Sequence, residues 1–172
     1  MIISLMALIS GYIIDLIVGD PQGLWHPIIG IGKVIYFFEK VIRKILPKSK
    51  SGELVGGIFI VLFVLIVSVG IPGLIIYFTS KVDVRLKYLV ETIMSYQILA
   101  TKSLKKESMK VYYALKTENI DSSRYAVSRI VGRDVNYLNE EGIIKATVET
   151  VAENTSDGVI APMFFLAIGG PI

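Results

Sequence analysis

The sequence predicts an all-α, polytopic integral membrane protein with amphipathic and cytosolic helices between its spans. Three observations carry that reading. Hydrophobic residues make up 53% of the 172 residues and charged residues only 19%, with a mean hydropathy of +0.63; a soluble domain carries about a quarter charged residues. The apolar residues are gathered in blocks, and no charge interrupts residues 54–79. Between the blocks, apolar positions recur with helical spacing.

Each block justifies one element. Residues 2–18 (IISLMALISGYIIDLIV) are about as long as the shortest spanning helices. Nothing basic precedes them and Asp15 lies within, which favours a retained helix over a cleaved signal peptide. From Ile31 to Leu46, apolar Ile31, Val34, Ile35, Phe38, Val41, Ile42 and Ile45 share a helical face, with Lys33, Lys40, Arg43 and Lys44 mostly elsewhere around it. That pattern suits a helix lying on the membrane surface. Residues 54–79 are long enough to cross a bilayer of about 30 Å, and Gly70, Pro72 and Gly73 predict a kink. Residues 84–117 read as one long helix with the stripe Leu86, Leu89, Val90, Ile93, Met94, Ile98. Asp121 is a good N-cap for a short helix ending at a left-handed Gly132, and Asn139 caps another running to about Asn154. Glu140 and Glu141 then oppose the dipole of that last helix favourably. Residues 159–172 are apolar but too short to span. Residues 1–172 therefore read as a single membrane-embedded unit, cut off within a partial span, with spans at about 2–18 and 54–79 and a polar helical region over 80–158.

Loop charge leaves the topology open. Residues 19–53 contain six Lys/Arg and residues 80–158 contain twelve, so both flanks of the strong span look cytoplasmic. Either that run is a hairpin, or residues 24–38 or 84–100 also enter the membrane.

Composition excludes several chemistries. Cysteine is absent, which removes disulfides, thiolate nucleophiles and Cys-ligated metal centres. One histidine, His26, excludes a multi-His site. The net charge of +3 comes from basic residues flanking apolar runs, where anionic headgroups account for them. With no recognised nucleic-acid motif, no nucleic-acid partner is expected. A P-loop, a Rossmann fingerprint and a nucleophile elbow are missing too.

Four constellations can carry chemistry. Asp15 and the turn GDPQGLWHP (19–27) hold Asp20 and His26 between rigid prolines at the membrane edge. They read either as a carboxylate and an imidazole aimed at a substrate, or as an interfacial loop anchored by Trp25. In ETVAENTSDG (149–158), Glu149 and Glu153 are neighbours on one helical face, where like charges oppose the helix unless a cation intervenes. With Asn154 and Asp157 they are hard oxygen ligands of the kind Mg²⁺ takes; the alternative is a solvated acidic helix end. In RIVGRDV (129–135), Arg133 and Asp134 follow a glycine and suit either phosphate or a surface ion pair. Glu91 lies on the stripe of the long helix, lining a polar cavity or reaching water.

The combination of Asp15, GDPQGLWHP and SRIVGRDVNYLNEEGIIKATVETVAENTSDGVIAPMFF (128–165) closely resembles the adenosylcobinamide-phosphate synthase family, CobD/CbiB. The likeness extends over essentially the whole chain, and residues 54–110 match mainly in hydrophobic character. The resemblance implies a multi-pass inner-membrane enzyme of cobalamin biosynthesis. Such an enzyme joins adenosylcobyric acid to aminopropanol or its phosphate, with ATP and Mg²⁺. It makes Asp20, Pro21, His26, Gly132, Arg133, Asp134, Glu149, Glu153, Asn154, Asp157 and Pro162 the matching positions of interest. The expectation is that Glu149, Glu153 and Asp157 hold Mg²⁺, Arg133, Asp134 and Asn154 contact phosphate or substrate, and His26, Asp20 and Glu153 serve catalysis. The family continues for roughly as many residues again, so either the chain is a fragment or a second polypeptide completes the fold. The rival expectation is a non-catalytic membrane subunit or transporter component, with Asp15 and Glu91 lining its path.

Overall fold

The computed structural model describes residues 2–21, 23, 26–117 and 119–171, and every regular element among them is helical. In chain order these are α1 (Ile2–Val18), α2 (Pro27–Ile45), α3 (Lys50–Val82), α4 (Val84–Ile98), α5 (Thr101–Lys116), α6 (Ile120–Ser128), α7 (Glu140–Thr155) and α8 (Ala161–Gly169). A π-helical turn, Ser156–Ile160, joins the last two. Trp25, the expected aromatic anchor, lies outside the described residues.

The pairing of α1 with α4 organises the first half. Ala7, Gly11 and Asp15 recur every fourth residue of α1 and are buried, and α4 turns Glu91, Thr92 and Ser95 inward. A Cβ on Gly11 would lie 2.8 Å from both Ser95 Cβ and Tyr96 N. Only glycine lets the two backbones approach this closely, as small residues do between membrane helices. The Ser10 and Tyr88 hydroxyls share a hydrogen bond of 2.6 Å, and one end further on Asp15 accepts from Thr101, so the two helices run parallel. Their outward faces are apolar: Ile9, Ile13 and Leu16 on α1, and Leu89 and Ile93 on α4, are all exposed. Polar inside and apolar outside is the order lipid favours and water does not.

Among the described residues, α3 is the one helix long and apolar enough to cross a membrane, with a mean hydropathy of 3.0 over its best window. It stays helical through Gly70, Pro72 and Gly73, so the run is not a hairpin. Ser49 caps it by accepting from Gly52 N–H at 3.1 Å, and Asp83 both ends it and caps α4 through Arg85 N–H. α2 begins earlier than its apolar stripe suggested, because His26 acts as its N-cap with Pro27 in the first turn. It does not simply lie with its stripe on a bilayer. Phe38 stacks on Phe63 at 3.9 Å and Ile42 abuts Gly56, so α2 packs antiparallel against the first half of α3.

The long helix expected over 84–117 is two helices. Leu99 is extended and 1% exposed, seated with Leu8 and Leu166, and α5 starts afresh at Thr101. Beyond it, Val111, Val127, Val135, Ile143 and Ala146 form a second core that binds α5, α6, the following loop and α7. Asn119, not Asp121, caps α6, accepting from Asp121 and Ser122 N–H. Gly132 is not left-handed, since α6 has already closed at Ser128 with tight turns at Arg129 and Ile130. Asn139 caps α7 as expected. The chain does not turn sharply at Gly158: the π turn carries it on into α8, and Ala161 N–H bonds to Ser156 O. A widened turn is a natural place for Pro162, which has no N–H to give.

Gly11→Ala is expected to lower stability in detergent by about 1–3 kcal/mol, by overpacking. Gly73→Ala, where an added Cβ meets open space, should be neutral or stabilising by up to about 1 kcal/mol. Thermal unfolding of the two variants tests this; equal midpoints would contradict the close seam.

Candidate functional site

Polar groups converge where α1 and α4 end. Gly19 leaves α1 at φ +66, a left-handed conformation glycine adopts without strain, and its N–H bonds to Asp15 O at 2.8 Å. The turn is then pinned from α4 and α5. The Tyr96 hydroxyl donates to Gly19 O, the Lys102 ammonium to Ile17 O, and Asp20 N–H donates to Ser103 Oγ at 3.0 Å. The Asp20 carboxylate itself is left exposed.

Asp15 is 0% exposed, and its Oδ2 accepts Thr101 N–H at 2.8 Å. Ala100 has no side chain to cap α5, so α1 supplies the cap, and the positive end of the α5 dipole faces the carboxylate. Glu91, 3% exposed, lies 3.6 Å from Lys87. Each of these buried acids therefore has a structural partner at one oxygen, while Asp15 Oδ1 and Glu91 Oε2 are buried without a hydrogen bond.

His26 bridges two elements. Its Nδ1 accepts Ile28 N–H at 3.3 Å and its Nε2 lies 2.7 Å from Gln97 O. A carbonyl can only accept, so the pair of bonds puts the proton on Nε2. Both ring nitrogens are thus engaged, and His26 acts as a base only if one of these bonds opens. As placed, it fixes the start of α2 against the end of α4.

The acidic helix end arrives at the same place. Asp157, exposed in the π turn, lines a shallow pocket of ≈ 360 Å³ with Ile98, Pro162, Phe165 and Leu166. Asp20 through Ser103, His26 through Gln97 and Asp157 beside Ile98 all meet the α4–α5 break. Arg133 and Glu149 are also brought together, at 3.1 Å, with Lys145 3.9 Å from the other carboxylate oxygen. Asp134 closes a local turn by accepting Asn136 N–H, and Asn154 donates to Thr150 O.

The structure does not gather Glu149, Glu153 and Asp157. Among the described residues no three His, Cys, Asp or Glu side chains group to hold a metal ion. Like charges on one face of α7 needed a cation, and Arg133 and Lys145 are that cation for Glu149. Thr101, Lys102 and Ser103 were legible only as the start of a basic run, because their partners lie more than 80 residues earlier.

Compared with known protein families, residues 8–172 match the one described as CobD/Cbib protein. The chain belongs to the CobD/CbiB family. It is 44% identical to the cobalamin biosynthesis protein CobD of Clostridium tetani over 97% of this chain and 52% of the relative. It is 42% identical to that of Clostridium perfringens, over 96% and 52%. Against the cobalamin biosynthesis protein CbiB of Salmonella typhi it is 36% identical, over 97% and 52%. The chain spans about half the length of these curated CobD/CbiB relatives. No solved structure matches it.

Asp15→Ala in this CobD/CbiB chain should leave the first N–H of α5 without its acceptor, at a local cost of about 0.5–2 kcal/mol. Amide hydrogen exchange at Thr101 should accelerate accordingly while the α6–α7 core stays protected. Unchanged exchange at Thr101 would show that the cap contributes nothing.

Proposed function

We propose that this chain forms the membrane-face part of an acid–amine ligase of cobalamin biosynthesis. The reaction converts adenosylcobyric acid plus aminopropanol, or its phosphate, to adenosylcobinamide or its phosphate. Membership of the family and the relatives' names support the pathway. The convergence of Asp20, His26 and Asp157 on the α4–α5 break is the observation that carries the site.

A carboxylate is a poor electrophile, so it must be activated before an amine displaces the activating group, and the amine must lose a proton. The exposed Asp20 carboxylate, or His26 once released from Gln97 or Ile28, is the group here that can take that proton. ATP and Mg²⁺ belong to the proposal as the activating pair that the resemblance implies. Glu149, already committed to Arg133 and Lys145, does not fit as a ligand of that ion. Glu153 and Asp157, exposed and without ion-pair partners among the described residues, remain available to substrate. Asp15 and Glu91 do not favour a transporter, because one caps a helix and the other pairs with Lys87.

The same reading makes the protein a multi-pass protein of the inner membrane. The inverted polarity of α1 and α4 supports their insertion as a parallel pair beside α3. If α4 crosses with α1, the topology conflict in the loop charges disappears. Lys81, Arg85 and Lys87 lie on one side, and the basic residues of 19–53 and 102–145 lie together on the other, the cytoplasmic side.

In the full-length enzyme, His26→Ala and Asp157→Asn are each expected to lower product formation at least about tenfold, roughly 1.4 kcal/mol of transition-state stabilisation. Membrane insertion and helical content should be unchanged, and Glu39→Ala on the far end of α2 should stay within about twofold of wild type. ATP consumption should require adenosylcobyric acid and aminopropanol phosphate together. Full activity in both site variants would refute the proposed site.

A further inference from the structure

Among the described residues, the buried side-chain oxygens that lack a hydrogen-bond partner follow one line through the fold. Asp15 Oδ1, Glu91 Oε2, Ser95 Oγ and Thr101 Oγ1 all lie on the α1–α4 seam or at the α4–α5 break that ends it. Buried polar groups are nearly always paired, so such a line marks a place for a ligand. Asp15 is the extreme case. It is 0% exposed, and its Oδ2 is already engaged by Thr101 N–H. Glu91 has Lys87 beside it, whereas no Lys or Arg pairs with Asp15 among the described residues. Lys102, next to Thr101 in sequence, donates to Ile17 O instead. A buried charge is tolerated when it is paired or coordinates a cation.

The same point gathers main-chain oxygens. Leu99 is extended and Ala100 is not helical, so the last carbonyls of α4 lose the N–H groups that a continued helix would bring. Gln97 O takes His26, and among the described residues no backbone N–H reaches Ser95 O, Tyr96 O or Ile98 O. Ser95 faces Gly11, and Asp15 lies one turn beyond Gly11 on the same face of α1. The two helices are parallel, so the carbonyls of α4 point toward the end where Asp15 sits, which is also the negative end of the α4 dipole. The positive end of α5 faces the other carboxylate oxygen, Oδ2. Charge at this end of the bundle is negative on balance: Asp15 and the exposed Asp20 stand against Lys102, and His26, with one ring proton, is neutral.

We propose that a monovalent cation, Na⁺ or K⁺, binds at the α4–α5 break, held by Asp15 Oδ1, Thr101 Oγ1 and the free end carbonyls of α4. One carboxylate among hydroxyl and carbonyl oxygens balances a single positive charge, whereas Ca²⁺ and Mg²⁺ recruit more carboxylate or phosphate. Interrupted membrane helices bind Na⁺ with oxygens of this kind. The ion takes no part in the proposed ligase reaction, and the site stands whether or not that reaction is the right one. It steadies the break to which the Gly19–Asp20 turn and His26 are fastened.

The test is thermal unfolding of the detergent-purified protein in sodium, potassium or N-methylglucamine chloride at matched ionic strength, which removes screening as a cause. At least one alkali ion should raise the midpoint by about 2 °C or more over N-methylglucamine, with saturation as its concentration rises. The ion with the larger effect is the one the site prefers. Asp15→Asn keeps an oxygen for Thr101 N–H, and so keeps the α5 cap, but turns an amide NH₂ toward the site. It should abolish the increment. Thr101→Val, which removes only the hydroxyl, should at least halve it, and Thr101→Ser should retain it. Equal midpoints in the three salts would overturn the proposal. So would an increment that survives in both Asp15→Asn and Thr101→Val, which would put the ion elsewhere, or one produced by magnesium chloride and by neither alkali salt.

Discussion

Two helix backbones can touch only where side chains withdraw, and α1 and α4 touch at Gly11. That approach aligns the helices in parallel and carries Asp15 to the start of α5, where its carboxylate takes an N–H that Ala100 cannot cap. The break between α4 and α5 follows from it. So does the position of everything fastened to that break: the Gly19–Asp20 turn, the His26 ring and the end of α8 that sits on Leu8 and Leu99. A carboxylate buried among apolar helices is costly. Here the cost is offset at one oxygen by an N–H donor and a helix dipole, and the turn after α1 is fastened at the same end of α4.

Charge is used differently on the two sides of that end. Inside, each acid has a fixed partner: Asp15 has Thr101 and Glu91 has Lys87. On the polar helices, Glu149 is held by Arg133 and Lys145. Asp20, Glu153 and Asp157 remain exposed, and Asp157 lines a pocket with the apolar side chains of Phe165 and Leu166.

Much of the fold was legible because it is local. The uncharged run 54–79, the apolar stripe of α2 and the Asn139 cap each depend on residues within a turn or two of one another, and α1, α3 and α7 appear about where the sequence puts them, with α2 starting a turn earlier than its stripe. What could not be read was set by distant partners. Nothing near Leu99 breaks a helix; the cap that restarts it comes from Asp15, 86 residues away. The helix expected to end at about Asn154 is carried on into α8, because a π turn absorbs Pro162 without ending it. Of the candidate site, Asp20, His26 and Asp157 were legible as residue types; Asp20 bonds through its backbone N–H to Ser103, His26 to Gln97 O, and Asp157 shares a pocket with Ile98. The ion pair of Glu149 with Arg133 was not legible, because spacing along α7 reveals like charges but not a cation brought from another element.

Whether α1 and α4 cross the bilayer as one parallel pair is decided most directly by side-specific labelling of single cysteines, which a cysteine-free chain permits without background. Ser51, Ser80 and Ser122 are exposed positions in the first turn of α3, at its far end and beyond α5. Ser51→Cys and Ser122→Cys should react only from the cytoplasmic side and Ser80→Cys only from the opposite side. Ser80 and Ser122 labelling from the same side would mean that α4 does not cross, and the paired insertion on which the site's position depends would be wrong.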